Sequence, residues 1–362
     1  MVFLPDMKII FLLPHIRLSG GVKALLEYAN RLKKIGHDVR VFVPRKPPKW
    51  YQFREKWSMR NNGLHSLVPE VVEWMDNTLA IEIFPEAGGR YFPNSDIIVA
   101  SAWQNAEFAA KLPIEKGLLF YFVLHYESLW ARYKNRAMRT YGLSCEMLTC
   151  STWLKNILIE KHNKKADVLV IPVDREVFFC DSKKWNMIPR VAMMHHDYDW
   201  KGYAEGVEVI KKIMQQERKI QLVVFGEKLE DPTSLFDKAG FEFEYHYRPT
   251  RERLRKVYTS CDIFLCPSWY EGLGLPSMEA MACRCALVTA DTGGCLDFAI
   301  NEKTALVSSS RDIEGLYKNI IRLLDDKALL ESISQNGYDK ISEFDWRKSC
   351  DQLVNFFKKS LR

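Results

Sequence analysis

Short apolar runs alternate with longer amphipathic ones along nearly the whole chain, and no other feature restricts the fold as much. In the first half, Lys8–Leu13, Val39–Val43, Ile97–Ala100, Leu118–Leu124, Met147–Cys150 and Val168–Ile171 have the length and content of buried strands. In the second half the same holds for Val191–Met194, Leu222–Phe225, Ile263–Cys266, Leu287–Thr289 and Leu306–Val307. Helical patterns fill the gaps. In "VKALLEYANRLKKIG" Leu25, Leu26, Ala29 and Leu32 share one face, and further helices are expected near Gly206–Gln216, Arg251–Ser260 and Pro276–Cys283. This alternation predicts α/β architecture, with parallel sheets covered by helices on both faces.

A chain of 362 residues is long enough for two such doubly wound domains. The polar, proline-containing segment around Asp181–Pro189 suggests the division: residues 1–182, residues 183–345, and an amphipathic C-terminal helix within 346–362, "FDWRKSCDQLVNFFKKS". Ligands of doubly wound folds collect beyond the carboxyl ends of the strands, so a cleft between the domains is the expected site.

Composition excludes several classes. At 47% hydrophobic and 27% charged the chain has material for a substantial core. Its longest apolar runs, such as Gly117–Leu124, are too short to cross a bilayer. The opening "KIIFLLP" reads as a first buried strand rather than a signal peptide, because polar sequence follows it without a small-residue cleavage site. Nine cysteines without a CxxC pair read as reduced, buried thiols of a cytoplasmic protein. A net charge of +6 suits phosphate-rich ligands or anionic lipid, but no basic tail or motif points to nucleic acid. The stretch from Arg45 to about Pro93 is less periodic. Its "RKPPKWYQFREKWSMR" carries six basic residues and four aromatics, as a solvated insertion or a surface for an acceptor or membrane would.

The chemistry concentrates in "SWYEGLGLPSMEAMACRCALV", Ser268–Val288. Two glutamates, Glu271 and Glu279, flank a Gly-Leu-Gly-Leu-Pro break. Pro276 suits the first turn of a helix, so Glu271 falls on a loop and Glu279 about one turn into the helix that follows. Amides at that helix start can face an anion. Gly20 and Gly21 stand just ahead of the first amphipathic helix, another place where backbone amides can approach a phosphate. Taken singly, each feature also has an ordinary structural explanation: a turn glycine, a loop carboxylate, an acidic residue answering the helix dipole.

In combination, Ser-x-x-Glu-Gly-x-Gly-Leu-Pro-x-x-Glu-Ala-Met-Ala resembles the Glu-x7-Glu motif of retaining, GT-B-fold glycosyltransferases, particularly glycosyltransferase family 4 (glycosyl transferases group 1). The resemblance continues through "RERLRKVYTSCDIFLCPS", "CALVTADTGGCLDF", "CSTWLKNIL" and "VIPVDREVF". It implies two Rossmann-like domains facing a deep cleft: an acceptor-binding first domain, a nucleotide-sugar-binding second one, and a last helix returning to the first. It also implies roles. Glu279 would clamp the two ribose hydroxyls, as a carboxylate can. Glu271 would meet hydroxyls of the transferred sugar, and the amides of Gly272, Leu273, Gly274 and Leu275 the sugar or diphosphate. Lys201 in "MMHHDYDWKG" matches the lysine of the family's Gly-Arg-x-x-x-x-Lys-Gly element, whereas His196 occupies its arginine position. Imidazole lacks arginine's fixed charge. Diphosphate stabilisation would then rest on Lys201, on Gly20 and Gly21, and on another basic residue such as Arg248. His125, ending the strand in "YFVLHYESLW", falls where family members place a histidine near the donor sugar. Downstream, Arg132, Arg136 and Arg139 share a helical face, either a solvated basic face or one that engages an anionic acceptor or membrane.

The expected activity is therefore retaining, metal-independent transfer of a sugar from a nucleoside diphosphate to an acceptor hydroxyl, without a cofactor. The acceptor would be a glycan, a lipid-linked sugar or a protein, met in the cytoplasm or at the inner face of a membrane. Two alternatives use the same scaffold: a nucleotide-sugar epimerase or hydrolase, and a non-catalytic nucleotide-sugar-binding protein. A metal site at Asp197-Tyr198-Asp199, with His195 and His196 adjacent, is a further and weaker alternative.

Overall fold

The computed structural model describes residues 6–15, 19–45, 79–85, 92–129, 133–227 and 239–362. The stretch 46–60 and Arg132 lie outside the described residues. The chain divides into two compact units. One contains Met1–Cys150, Leu154–Leu169 and Arg347–Arg362; the other contains Ser151–Trp153 and Val170–Trp346.

In the first unit, seven parallel strands run in the order β3-β2-β1-β4-β5-β6-β7. They are β1 (Lys8–Leu12), β2 (Asp38–Arg45), β3 (Ile81–Pro85), β4 (Ile97–Ala100), β5 (Leu118–Val123), β6 (Glu146–Thr149) and β7 (Asp167–Val168). The second unit repeats the arrangement with six parallel strands ordered β10-β9-β8-β11-β12-β13. These are β8 (Arg190–His195), β9 (Gln221–Gly226), β10 (Glu244–Tyr247), β11 (Ile263–Cys266), β12 (Ala286–Ala290) and β13 (Leu306–Ser308).

The central strands are continuous apolar runs because helices cover both faces. Every residue of β4, β11 and β12 is buried. The helix Gly20–Lys34 turns Leu25, Leu26, Ala29 and Leu32 inward and is capped by Ser19, whose Oγ accepts from the Val22 amide. Thr250, Asp312 and Asp326 cap the helices Arg251–Ser260, Ile313–Asp325 and Lys327–Ser342 in the same way.

Three readings need correction. The less periodic stretch before Pro93 contains the edge strand β3, and polar "EYHY" forms the edge strand β10. An edge strand pairs on one side only and need not be an apolar run. Residues 170–182 belong to the second unit, not the first. There Arg251 bonds Asp174 at 2.5 Å, Arg284 bonds the Cys180 carbonyl at 3.1 Å, and Phe178 is buried. The basic helix is short, Lys134–Thr140, and Arg136 on it is committed to Glu107 at 2.8 Å and to the Trp103 ring.

The C-terminal helix Trp346–Ser360 packs with the first unit from Arg347 onward. Phe357 meets Phe120 edge-on with centroids 4.8 Å apart, and Ser349 Oγ lies 2.6 Å from the Tyr28 hydroxyl. All nine cysteines are free thiols, Cys145 half-buried and the others buried. Among the described residues no helix is long and apolar enough to cross a membrane.

Candidate active site

In each sheet the strand order reverses once, between β1 and β4 and between β8 and β11. Loops leaving the carboxyl ends of such a strand pair diverge to opposite sides and leave a crevice between them. In the second unit Lys201 and Glu271, both singled out by sequence, line a recess at that reversal.

After β8 the chain makes a short 3-10 turn, Asp199–Lys201, and enters the helix Tyr203–Gln215 through Gly202 in a left-handed conformation. Gly202 is a steric necessity: a Cβ there would lie 2.1 Å from the Pro267 carbonyl oxygen, on the loop after β11. The two loops are zipped by further bonds. The Trp269 amide donates to the Trp200 carbonyl at 2.8 Å, and Ser268 Oγ to the Lys201 carbonyl at 3.4 Å. Lys201 Nζ thereby reaches both carboxylate oxygens of Glu271, at 2.7 and 2.9 Å. The pair lines a recess together with Met194, Pro267, Gly274 and Pro276.

Glu271 is fixed from behind as well. Its amide donates to the Thr292 carbonyl at 2.9 Å, and its carbonyl accepts from Gly294 at 3.3 Å. Both glycines of "DTGG" are needed for this approach. A Cβ on Gly293 would lie 2.4 Å from the Trp153 ring, and one on Gly294 would lie 2.2 Å from the Gly272 carbonyl. Gly274, at φ 99°, then starts the helix Leu275–Ala282. In its first turn Ser277 and Met278 donate to the Gly274 carbonyl at 3.0 and 3.2 Å, and Pro276 has no N–H. Any anion at this helix end must therefore meet amides that precede Pro276, among them those of Gly272, Leu273, Gly274 and Leu275. Glu279 is buried on the same helix.

His196 follows β8, half-buried. Its Nδ1 accepts from the Tyr198 amide at 3.1 Å, which places the proton on Nε2. Burial, and then the neighbouring Lys201, hold the imidazole below its usual pKa, so it is neutral at pH 7. Arg248 follows β10, which lies two strands from β8. It is exposed, its Nε bonds the Glu227 carbonyl at 3.1 Å, and its guanidinium rests over Tyr247. It does not line the recess. Asp197 and Asp199 are exposed, and among the described residues no three His, Cys, Asp or Glu side chains are grouped to hold a metal ion.

In the first unit Gly20 and Gly21 are the first two residues of their helix, not residues ahead of it. A Cβ on Gly21 would lie 3.1 Å from Leu124 Cδ1, so the glycine lets this helix start approach the end of β5, where half-buried His125 follows Leu124. Sequence reasoning passed over Glu127. Its Oε2 accepts from the Trp103 amide at 2.8 Å, capping the helix Trp103–Ala109, whose own N-cap is Ala102. Burial pushes the Glu127 carboxyl up to about 7. Also unanticipated is a run of aromatic rings on the loops that carry Lys201 and Glu271: His196 is tilted against Tyr198, and Tyr198, Trp200 and Tyr270 are stacked in turn. Its only sequence signal is the ring density of "HHDYDW".

Comparison with known proteins bears on the family and the fold. Residues 174–340, within the second unit, match the family described as glycosyl transferases group 1. The chain is similar to N,N'-diacetylbacillosaminyl-diphospho-undecaprenol alpha-1,3-N-acetylgalactosaminyltransferase of Campylobacter jejuni, 26% identical over 203 residues, covering 55% of this chain and 52% of the relative. It is also similar to O-antigen chain mannosyltransferase B of Escherichia coli, 25% identical over 237 residues, covering 59% and 60%. The chain spans about half the length of the curated relatives it matches. Among solved structures, HepE of Anabaena in complex with UDP-glucose aligns with a TM-score of 0.77 over 98% of this chain and 100% of its own, at 14% identity. That likeness concerns the fold, which is GT-B.

Proposed function

We propose that this chain, a group 1 glycosyltransferase by the family its second unit matches, moves a sugar from a nucleoside-diphosphate sugar to an acceptor hydroxyl with retention of anomeric configuration. The observation that carries the reading is the Lys201–Glu271 pair at the β8/β11 reversal, beside a helix start that holds Glu279 eight positions further on.

The roles follow from charge. Breaking the glycosidic bond leaves negative charge on the departing diphosphate, and Lys201 is the cation placed to meet it. Glu271 takes hydroxyls of the transferred sugar, and Glu279 takes the ribose diol. Amides between Gly272 and Leu275 complete the anion site. No side chain is assigned as nucleophile. The acceptor oxygen bonds to the anomeric carbon as the phosphate leaves with the bonding electron pair, and the acceptor proton passes to that phosphate. No metal or other cofactor enters the reading.

The relatives' names concern undecaprenol-linked and O-antigen glycans, which supports a glycan or lipid-linked acceptor; this reading places the reaction in the cytoplasm or peripherally at the inner face of a membrane. The test is transfer itself. Nucleotide sugars are screened by thermal shift, and the stabilising donor is then incubated with glycan and lipid-linked acceptors, the product's anomeric configuration being read by NMR. Retained configuration supports the reading, and inversion contradicts it.

One observation favours a second reading, nucleotide-sugar binding without transfer: neutral His196 stands at the position where the resemblance places an arginine. Donor binding with no turnover toward any acceptor class would favour it.

A further inference from the structure

The rings beside Lys201 form a continuous ladder. His196 and Tyr198 have centroids 4.4 Å apart, Tyr198 and Trp200 are stacked at 4.2 Å and 17°, and Trp200 and Tyr270 are near-parallel at 6.1 Å and 15°. The first three rings belong to the loop after β8 and the fourth to the loop after β11. The ladder therefore crosses the strand-order reversal at the same place as the Lys201–Glu271 ion pair. Trp200 immediately precedes Lys201 and Tyr270 immediately precedes Glu271, so each ring is covalently adjacent to one member of the pair.

One ring is unusual. Tyr198, flanked in sequence by Asp197 and Asp199, is 52% exposed although it stacks on Trp200. Core packing does not account for a tyrosine left half in solvent. A need near Lys201 does. A lysine ammonium sits on a flexible four-carbon stem that loses rotamer entropy when fixed, whereas an arginine fork is pre-organised and loses less for each hydrogen bond it forms. With neutral His196 at the position where the resemblance places an arginine, and Arg248 outside the recess lining, Lys201 depends on its surroundings to hold it. Stacked rings on the loops that carry Lys201 and Glu271 stiffen the turn that presents the ammonium, since parallel aromatic pairs attract beyond their buried area. The main chain is tied to the same end: the Lys201 amide donates to the Tyr198 carbonyl at 2.9 Å, and the Trp200 carbonyl accepts from Trp269 at 2.8 Å.

We propose that the Tyr198–Trp200–Tyr270 stack is a positioning element that aims Lys201 at the diphosphate of the donor. The inference rests on the donor-site reading above and adds residues to it. Trp200 and Tyr198 act through Lys201 and touch no reacting atom, so their removal should weaken recognition of the diphosphate while leaving recognition of the nucleoside intact.

The test uses the full chain and calorimetric titration with UDP, GDP, ADP and dTDP, followed by the monophosphate of whichever binds best. In Trp200→Ala, diphosphate affinity should fall roughly tenfold with the monophosphate changed less than about twofold, whereas Trp200→Phe stays within about threefold of wild type. Tyr198→Ala, at an exposed position, should show the same selective loss on a smaller scale. Combining Trp200→Ala with Lys201→Ala should cost no more than Lys201→Ala alone. Equal weakening of di- and monophosphate binding, or losses that add fully in the double variant, would overturn the inference and leave the stack as packing. If Lys201→Ala loses diphosphate binding while Trp200→Ala and Tyr198→Ala do not, this inference alone fails. A wild-type protein that binds none of the four diphosphates overturns both it and the proposed function.

Discussion

Lys201 Nζ donates to both carboxylate oxygens of Glu271, at 2.7 and 2.9 Å, so in this structure the two side chains assigned to the donor satisfy each other. Both are largely shielded, with side chains 17% and 10% exposed. A pair held this way resists solvent screening, and removing one member leaves the other charge without its partner. A phosphate entering the recess must then compete with Glu271 for the ammonium.

Glu271→Gln should therefore separate binding from transfer. The free nucleoside diphosphate, which has no sugar for Glu271 to hold, should bind about three- to tenfold more tightly because the ammonium is no longer neutralised. Transfer should fall by roughly two orders of magnitude, as loss of an interaction made to the reacting sugar does. Calorimetry and initial rates on one preparation check both. Weaker diphosphate binding in the variant would mean that Glu271 does not compete for Lys201.

The glycines that allow the two loops to touch predict a stability pattern. Gly202→Ala and Gly294→Ala place a Cβ 2.1 and 2.2 Å from backbone atoms and should each cost about 1–3 kcal/mol in denaturant unfolding. Gly240 serves as the control. It has φ +77° but nothing within 4 Å of a Cβ, so Gly240→Ala should cost only the backbone strain, about 1 kcal/mol. Equal losses at all three would remove the steric account of the loop contact.

Glu127 predicts a pH dependence with a definite sign. Its carboxyl is raised to about 7 by burial, so between its unfolded value near 4.5 and about 7 the folded state holds more protons than the unfolded state. Stability is then greatest below that window and falls as pH rises through it. Glu127→Gln keeps an oxygen to accept from the Trp103 amide and abolishes the titration. Relative to wild type it should gain about 1–3 kcal/mol at pH 8 and little at pH 4. A gain that does not depend on pH would assign the effect to something other than this carboxyl.

Much of the fold was legible because its central strands are buried on both faces and so read as plain apolar runs, as in "IIVA" and "IFLC". The edge strands were harder to see. "EYHY" is polar and half exposed, and nothing in its own residues distinguishes it from a loop. At the candidate site, Glu271 and Glu279 lie within one motif, and their placement on a loop and a helix could be argued from Gly274 and Pro276. The partner of Glu271 lies 70 positions away, and their bond depends on Gly202 fitting against Pro267, a contact that no local pattern encodes. The aromatic ladder was hidden for the same reason, since its last ring, Tyr270, comes from a different loop than the first three.

The central claim is that a nucleoside diphosphate binds the second unit at the recess lined by Lys201 and Glu271, with its ribose on Glu279. Calorimetric titration of the best-binding nucleoside diphosphate into wild type, Lys201→Ala and Glu279→Ala tests it most directly. The account predicts a saturable interaction in wild type that weakens by about tenfold or more in each variant, with their folds intact by thermal melting. Binding of unchanged affinity in both variants would contradict it.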